Sequence, residues 1–354
     1  MEVYRAFFEG VPDPRAANVR HDLLAVMFIA LAALLCGAET CADMADFGRS
    51  KRTFLKTVLS LPHGTPSHDT FSRVFRLLDP EAFESAFAKF MAAFSKSLQG
   101  VVAIDGKALR GAYQRGCKTT PLHIVNIWAA ETRMAVGQRL APGRNEVVGA
   151  IEALRLLSLD GCLVTADALY CRADVATAIL EQGGDYVLAL KENHPKLLRH
   201  AQAALDQAPP DADRAATPTL FAHDRAETRE AVVVPLDLDV PGAVAVARIT
   251  SRRGDEPSLV RHFILSQNLS ASRVLTVVRE HWGVENQLHW VLDVVFHEDA
   301  SRTRSDHAPR NLALLRKLAL NVLRSHPDKA SLRRKIKRAG WEDSFLAALL
   351  AHMR

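Results

Sequence analysis

Three acidic residues, far apart along the chain, share a setting that suits metal-assisted phosphoryl chemistry. Asp105 closes the apolar run "VVAID", Asp167 closes "CLVTAD", and Glu285 sits inside "REHWGVENQLHWVLDV". A hard divalent cation such as Mg²⁺ takes oxygen ligands. Two such ions about 3.5–4 Å apart can activate a nucleophile and stabilise a leaving oxygen. Carboxylates gathered for that purpose repel one another, and the bound cations offset the repulsion. Lys107 and Arg110 follow Asp105 within "AIDGKALRGA", close enough to meet a phosphate. Taken singly, an Asp after a strand is usually a turn or cap residue, and Glu285 reads also as an ordinary helix charge. The signal is the combination of three acids with a basic flank. His281 and His289 lie four residues on either side of Glu285, expected on one helix face. They would suit zinc, but His-x3-Glu-x3-His is not a metalloprotease pattern and no third ligand accompanies it.

The elements that must carry these residues change character along the chain. The first 95 residues read as four helices. "DLLAVMFIALAALLCGA" is capped by Asp22 and stopped at Gly37. "CADMADFGRSKRTFLKTVL" is the second. Pro62, Gly64 and Pro66 then break the chain. The third helix is capped by Ser67 or Asp69, the fourth by Asp79 with Pro80 in its first turn. Phe83, Phe87 and Phe90 form a stripe on the fourth that reads as core. From "VVAID" to "HPKLLRHAQAALDQA" the order is βββαβαβα. Three sequential strands imply an antiparallel meander, and the alternating part implies a parallel extension. This is a ribonuclease-H-like order, with Asp105 on the first strand and Asp167 at the end of the fourth. The fold class is α/β: a mixed five-stranded sheet with flanking helices, a β-rich insertion and an α-helical N-terminal domain. The expected partition is a helical domain at 1–95, a first part of the core at 96–207, the insertion at 208–268, a second part with the acid-bearing helix at 269–325, and a basic helical tail at 326–354.

Composition narrows the class. The chain has 354 residues, 48% of them hydrophobic, which supports a large core and excludes a disordered protein. Residues 301–340 hold twelve Lys/Arg against two Asp, while the whole chain carries only +5. Such a basic block suits a polyanion, nucleic acid by default; a solvated basic face reads equally well. Five cysteines, Cys36, Cys41, Cys117, Cys162 and Cys171, have no CxxC pair. That argues against a disulfide framework or structural zinc and for a reduced, cytoplasmic protein. The run Leu23–Cys36 is shorter than the roughly 20 residues that cross a bilayer. No glycine loop that would cradle a nucleotide phosphate is present, which removes a kinase reading.

The sequence resembles the bacterial insertion-sequence DDE transposases, in their H-repeat-associated branch. The residues that carry the resemblance are "PSHDTFSRVFRLLDP", "AIDGKALRGA", "TADALYCR", "DYVLALKENHP", "HDRAETRE", "REHWGVENQLHWVLDVVFHEDASRTR" and "DHAPRNLALLRKLALN", in the family's order across most of the chain. The resemblance implies a ribonuclease-H-like catalytic domain interrupted by a β insertion before the third acid. It places the family's acids on Asp105, Asp167 and Glu285, 62 and then 118 residues apart. It also implies two Mg²⁺ ions, with Mn²⁺ able to substitute. The partner is then double-stranded DNA, at the element's terminal inverted repeats and at the target, with a homodimer in the synaptic complex, in the bacterial cytoplasm and with no membrane. Related branches carry Tyr-x2-Arg-x3-Glu-x6-Lys around the glutamate; here Val278, His281 and Leu292 fill those positions, so those DNA contacts do not carry over. The expected DNA contacts are Lys107, Arg110, Lys191, Asn193, His281, Asn286, His289, Arg302, Arg304 and Arg310. "LRRKIKR" at 332–338 reads as a solvated face or non-specific phosphate contact. The N-terminal helices suit either a helix-turn-helix module or a bundle that packs on the core or dimerises. Two rival readings are a nuclease that cuts without joining, and an inert relic or DNA-binding repressor.

Overall fold

The computed structural model describes residues 2–15, 19–94, 98–113, 121–218, 220–222, 225–254 and 256–352. Cys117 and the His223–Asp224 pair of "HDRAETRE" lie outside them. Among the described residues six helices fill the N-terminal part: α1 (Glu2–Phe8), α2 (Leu23–Leu35), α3 (Cys41–Ser50), α4 (Arg52–Leu55), α5 (His68–Leu77) and α6 (Pro80–Phe94). The Ala25 N–H donates to Asp22 Oδ2 at 3.0 Å and so caps α2. Gly37 ends it at φ +93°, a conformation that a Cβ disfavours. Helix α2 has no polar face, and α3, α5, α12 (Ala308–Ser325), α13 (Leu332–Trp341) and α14 (Asp343–Ala351) cover it. The expected second helix is broken in two at Lys51, which both ends α3 and opens α4. Ser67 is the cap of α5, accepting from the Thr70 N–H. Phe83, Phe87 and Phe90 are fully buried, with Phe8 packed against the first and last.

The core begins with β1 (Gly100–Tyr113), β2 (Pro121–Ala129) and β3 (Met134–Leu140), an antiparallel meander. Helix α7 (Glu146–Leu154) leads to β4 (Cys162–Ala166), and α8 (Ala173–Glu181) to β5 (Asp185–Leu190). Strands β4 and β5 extend the sheet in parallel from β1. Helix α9 (Pro195–Asp206) then precedes β6 (Asp213–Ala216), β7 (Leu220–Ala222), β8 (Arg225–Pro235), β9 (Ala245–Arg253) and β10 (Leu259–Leu265).

Among the described residues the sheet has ten strands, not five. Nine run in the order β3-β2-β1-β4-β5-β10-β9-β8-β6, and β7 pairs with β8. The insertion is therefore a continuation of the sheet. Strand β10 pairs antiparallel with β5 from His262↔Leu190 to Leu265↔Val187. That pairing satisfies backbone groups which an edge strand would leave open.

Alternation sorts the faces. Val101, Leu163 and Val187 pack with Val274, Val277 and Val278 of α10 (Ala271–His281), while Val102, Ile104 and Val164 join the core that holds α7 and α8.

After α10 the chain forms a π-helical segment, Val284–His289, then α11 (Trp290–Val295). The charge of the C-terminal block is partly internal. Arg310, Arg316, Lys317 and Lys335 are buried. Arg310 gives two hydrogen bonds to Glu84 of α6, at 2.7 and 2.6 Å, and Arg139 of β3 gives a third at 2.5 Å. Lys317 Nζ donates to Gln138 Oε1 at 2.7 Å, and Lys335 Nζ to the Leu323 carbonyl at 2.7 Å. These cations tie the C-terminal helices to the fold, so the count of charges overstates the basic surface. Among the described residues no helix is long and apolar enough to cross a membrane.

Candidate active site

Parallel pairing places the first two acids. Gly100–Ile104 of β1 runs in register with Cys162–Ala166 of β4, so the next residues, Asp105 and Asp167, are side by side. Both share the parity of Val101 and Leu163, the α10 side of the sheet. Asp105 does not end its own strand: β1 continues to Tyr113, still paired with β2, and Asp105 stands opposite Asn126. It marks instead the level at which β4 stops. Asp167 Oδ1 accepts from the Leu169 N–H at 2.9 Å, capping the short turn Ala168–Tyr170.

Glu285 comes from over the same face of the sheet, in the π-helical segment after α10. The wider i→i+5 turn breaks the α-helical phase, and such segments cluster at functional sites. His281, Glu285 and His289 therefore do not form one regular stripe. His281 Nδ1 pairs with Thr165 Oγ1 of β4 at 3.0 Å. His289 Nε2 pairs with Asn126 Nδ2 at 2.9 Å, and its Nδ1 faces Asp105 Oδ2 at 3.5 Å. Burial pushes His281 down to about 4 and His289 to about 3, so both are neutral near pH 7.

Asp105, Asp167 and Glu285 line one cavity of about 1180 Å³. Burial raises the Asp105 carboxyl to about 7, and the charges of Glu285 and then Asp167 add to the rise. Lys191, Arg248, Arg252 and Arg261 line the same cavity. Among the described residues no three His, Cys, Asp or Glu side chains stand close enough together to hold one metal ion. The acids surround a shared space without closing on a single point.

A family model described as "Transposase DDE domain" matches residues 96–322, and one described as "DDE_Tnp_1-associated" matches residues 5–91. The chain belongs to the DDE transposase family. The H repeat-associated putative transposase YhhI of Escherichia coli (strain K12) is 31% identical over 366 residues, covering 96% of each chain. The putative protein YbfL of the same strain is 32% identical over 366 residues, again covering 96% of each. A chain from the cryo-EM structure of the piggyBac transposase synaptic complex with hairpin DNA aligns with a TM-score of 0.47 and 11% identity. It covers 100% of this chain and 80% of that one.

Within this DDE transposase chain the expected DNA contacts fall into two groups. Four of them are engaged internally. Lys107 is buried: its Nζ is 2.7 Å from Asp293 Oδ1, 3.4 Å from Asp299 Oδ1 and 3.7 Å from Glu298 Oε2. It locks β1 to α11 and the turn after it, and is not placed to meet a phosphate. Arg310 is committed to Glu84. His281 and His289 brace the acid-bearing segment against β4 and β2. The others are exposed. Lys191 lines the acid cavity, and Asn286 lines a second cavity beside it. Asn193 donates to the Ala168 carbonyl at 2.8 Å, steadying the turn that follows Asp167. Arg110 Nε lies 3.4 Å from Asp299 Oδ2, Arg304 Nε donates to the Gly111 carbonyl at 2.9 Å, and Arg302 is exposed nearby.

Sequence reasoning missed Glu146, at the start of α7. Its carboxylate accepts from Tyr170 Oη at 3.1 Å and pairs with His123 Nδ1 at 3.0 Å. A Cβ at Gly106 would overlap this carboxylate, so a larger residue there would turn the Glu146 side chain aside. Nothing local in "NEVVGAIEAL" signals this role. The cavity-lining arginines of β9 and β10 were also missed, because in a strand pattern they read as its solvent face.

Proposed function

We propose that this chain is an active DNA transposase whose chemistry is carried by Asp105, Asp167 and Glu285. What supports the reading is the convergence of these three carboxylates, from the middle of β1, the end of its parallel neighbour β4 and one π-helical segment, on a single cavity that also presents guanidinium and ammonium groups.

The donor set suits hard divalent cations: three carboxylates, with Asp105 raised by burial and by the other two charges. Asp105, Asp167 and Glu285 would hold two Mg²⁺ ions, or Mn²⁺ in their place. Bound there, the cations supply Lewis acidity and neutralise charge on the phosphoryl group. The chain's own residues position and shield. Thr165 and Asn126 hold His281 and His289, and those histidines fix the segment that presents Glu285. The side chain of Glu285 is exposed, and rotation about its bonds is what brings its oxygens toward the aspartates. Lys191 and Arg261 line the same cavity and would pair with the non-bridging oxygens of a phosphodiester held there.

In the cutting step a water oxygen bonds to phosphorus at the element end, and the phosphorus–3′ oxygen bond breaks. The 3′ oxygen leaves as a hydroxyl after taking a proton. In the joining step that hydroxyl loses its proton and bonds to a target phosphorus, displacing the target's own 3′ oxygen. Both are in-line displacements that need positioning and charge stabilisation, with no covalent enzyme intermediate. The reading includes action at terminal inverted repeats, assembly as a homodimer when two ends are joined, and residence in the bacterial cytoplasm.

The test is strand cleavage of a labelled element-end duplex in Mg²⁺. Asp105→Asn is expected to abolish cleavage and leave DNA binding largely intact. Normal cleavage by that variant would overturn the assignment. A strand-transfer assay with paired ends separates a transposase from a nuclease that only cuts.

A further inference from the structure

The second cavity, of about 820 Å³, adjoins the acid-lined one, and Arg261 and Trp282 belong to the walls of both. Five arginines line it: Arg133 from the β2–β3 turn, Arg229 and Arg253 from β8 and β9, Arg261 from β10, and Arg279 from α10. Glu280 is its one lining carboxylate among the described residues. Three of these arginines, Arg133, Arg253 and Arg279, are exposed. Glu227 partly offsets two of the five, at 2.7 Å from Arg229 Nη2 and 3.5 Å from Arg253 Nη2.

The remaining charges oppose one another. Burial lowers Arg261, and the charges of Arg229 and Arg253 lower it further, against an opposing pull from Glu285. Like charges gathered in a concave wall raise the local concentration of an anion. A second, independent feature points the same way. Trp128 is fully buried and lines this cavity, and its Nε1–H has no hydrogen-bond partner among the described residues. Buried donors are ordinarily satisfied, so this one is a donor the cationic wall can offer to an acceptor bound in the cavity.

We propose that this arginine-lined cavity is a binding site for the sugar–phosphate backbone of the DNA strand that enters or leaves the acid-lined cavity. The proposal rests on the reading of that cavity as the place where the phosphodiester is cut. The occupant is a run of phosphates, because guanidinium forks match phosphate oxygens bidentately and an indole N–H can donate to one. The contacts are to backbone, so they position the strand and carry no sequence information. Arg261 and Trp282, shared by the two walls, make the path continuous past Glu285.

The experiment measures binding of a fluorescein-labelled DNA duplex by anisotropy across a series of KCl concentrations, without divalent metal. The full chain is compared with the triple variant Arg133→Ala, Arg253→Ala, Arg279→Ala and with the matching triple lysine variant. These side chains are exposed, and circular dichroism checks that each variant folds. Each lost phosphate contact flattens the log–log salt slope by about 0.7–0.9. The alanine triple is therefore expected to have a slope shallower by about 2 to 3 and to bind about 10- to 100-fold more weakly near 0.15 M salt. The lysine triple is expected to keep the slope. An alanine triple with the wild-type slope overturns the proposal, as does a wild-type chain that binds no DNA. Cleavage in Mg²⁺ by the wild type separates the two readings. If the slope flattens but the wild type never cleaves, the groove stands and the catalytic assignment falls. If the wild type cleaves and the slope is unchanged, the reverse holds.

Discussion

Replacing Asp105 with asparagine should make the metal-free protein more stable while removing its proposed activity. The carboxyl is raised from 3.8 to about 7, so the folded state holds its proton more tightly than the unfolded chain does. An acid shifted upward contributes most to stability at low pH. That contribution is lost as pH rises from about 4 to 7, and the penalty is full above 7. At about 1.36 kcal/mol per pH unit, the span from 3.8 to about 7 amounts to about 4 kcal/mol. The side chain keeps 23% of its exposure, and solvent screening reduces the expected figure to about 2–4 kcal/mol. Asparagine retains an oxygen to accept the Gly106 N–H, which Asp105 Oδ1 now accepts at 2.9 Å, and drops the repulsion with Glu285 and Asp167. Urea denaturation gives the comparison. At pH 8 without metal the variant should be the more stable by about 2–4 kcal/mol, and at pH 4 the gap should shrink below about 1 kcal/mol. Mg²⁺ should raise the wild-type midpoint and move the variant's much less. Superimposable curves at pH 8, or an equal Mg²⁺ effect on both proteins, would refute the claim that the carboxylates repel one another around a cation site.

Three further outcomes follow from particular contacts. Lys107→Met leaves Asp293, Glu298 and Asp299 without their shared cation and should cost about 3–5 kcal/mol in denaturant titrations, whereas Arg110→Ala, at the surface, should stay within about 0.5 kcal/mol. Glu84→Gln strands Arg139 and Arg310 in the interior and should cost about 3–5 kcal/mol, with the loss visible by thermal unfolding. Gly111→Ala would drive a methyl group into the Ser301 carbonyl oxygen, so about 1–3 kcal/mol should be lost and amide exchange should speed up across residues 299–304.

The positions of Asp105 and Asp167 were legible because an apolar β run ending on a carboxylate is a local pattern. The order of strands then made the two neighbours. The continuation of β1 past Asp105 was not legible. "GKALRGAY" carries two glycines and two bases, and what keeps it extended lies far away: three carboxylates around Lys107, and the Ser301 carbonyl against Gly111. The basic C-terminal block misled for a related reason. Counting Arg310 as surface charge ignores Glu84, which meets it from 226 residues earlier. The π-helical turn at Glu285 has no local signature either. Spacings of four residues promise one α-helical face, and only the anchoring of His281 to Thr165 and of His289 to Asn126 shows that the phase is broken.

The placement of the insertion follows from charge as well as topology. Parallel strands β1 and β4 bring two carboxylates to one level of the sheet, and repulsion there discourages a third. Between Asp167 and Glu285 the chain adds β5 and then the antiparallel strands β8–β10. Leu190, the last residue of β5, pairs with His262, so Arg261 is carried to the end of the sheet where Lys191 leaves it. Arg261 reaches the cavity wall and stacks over Trp282, with its guanidinium carbon 5.1 Å from the ring centre, on the segment that leads to Glu285. The cations are thus built into the sheet before the third acid is delivered. Removing β8–β10 would uncover the edge of β5 and take away the charges that balance the site. Deletion of residues 225–265 should therefore abolish both folding of the core and DNA binding, while a charge-reversed Arg261→Glu chain should keep its fold and lose affinity for DNA.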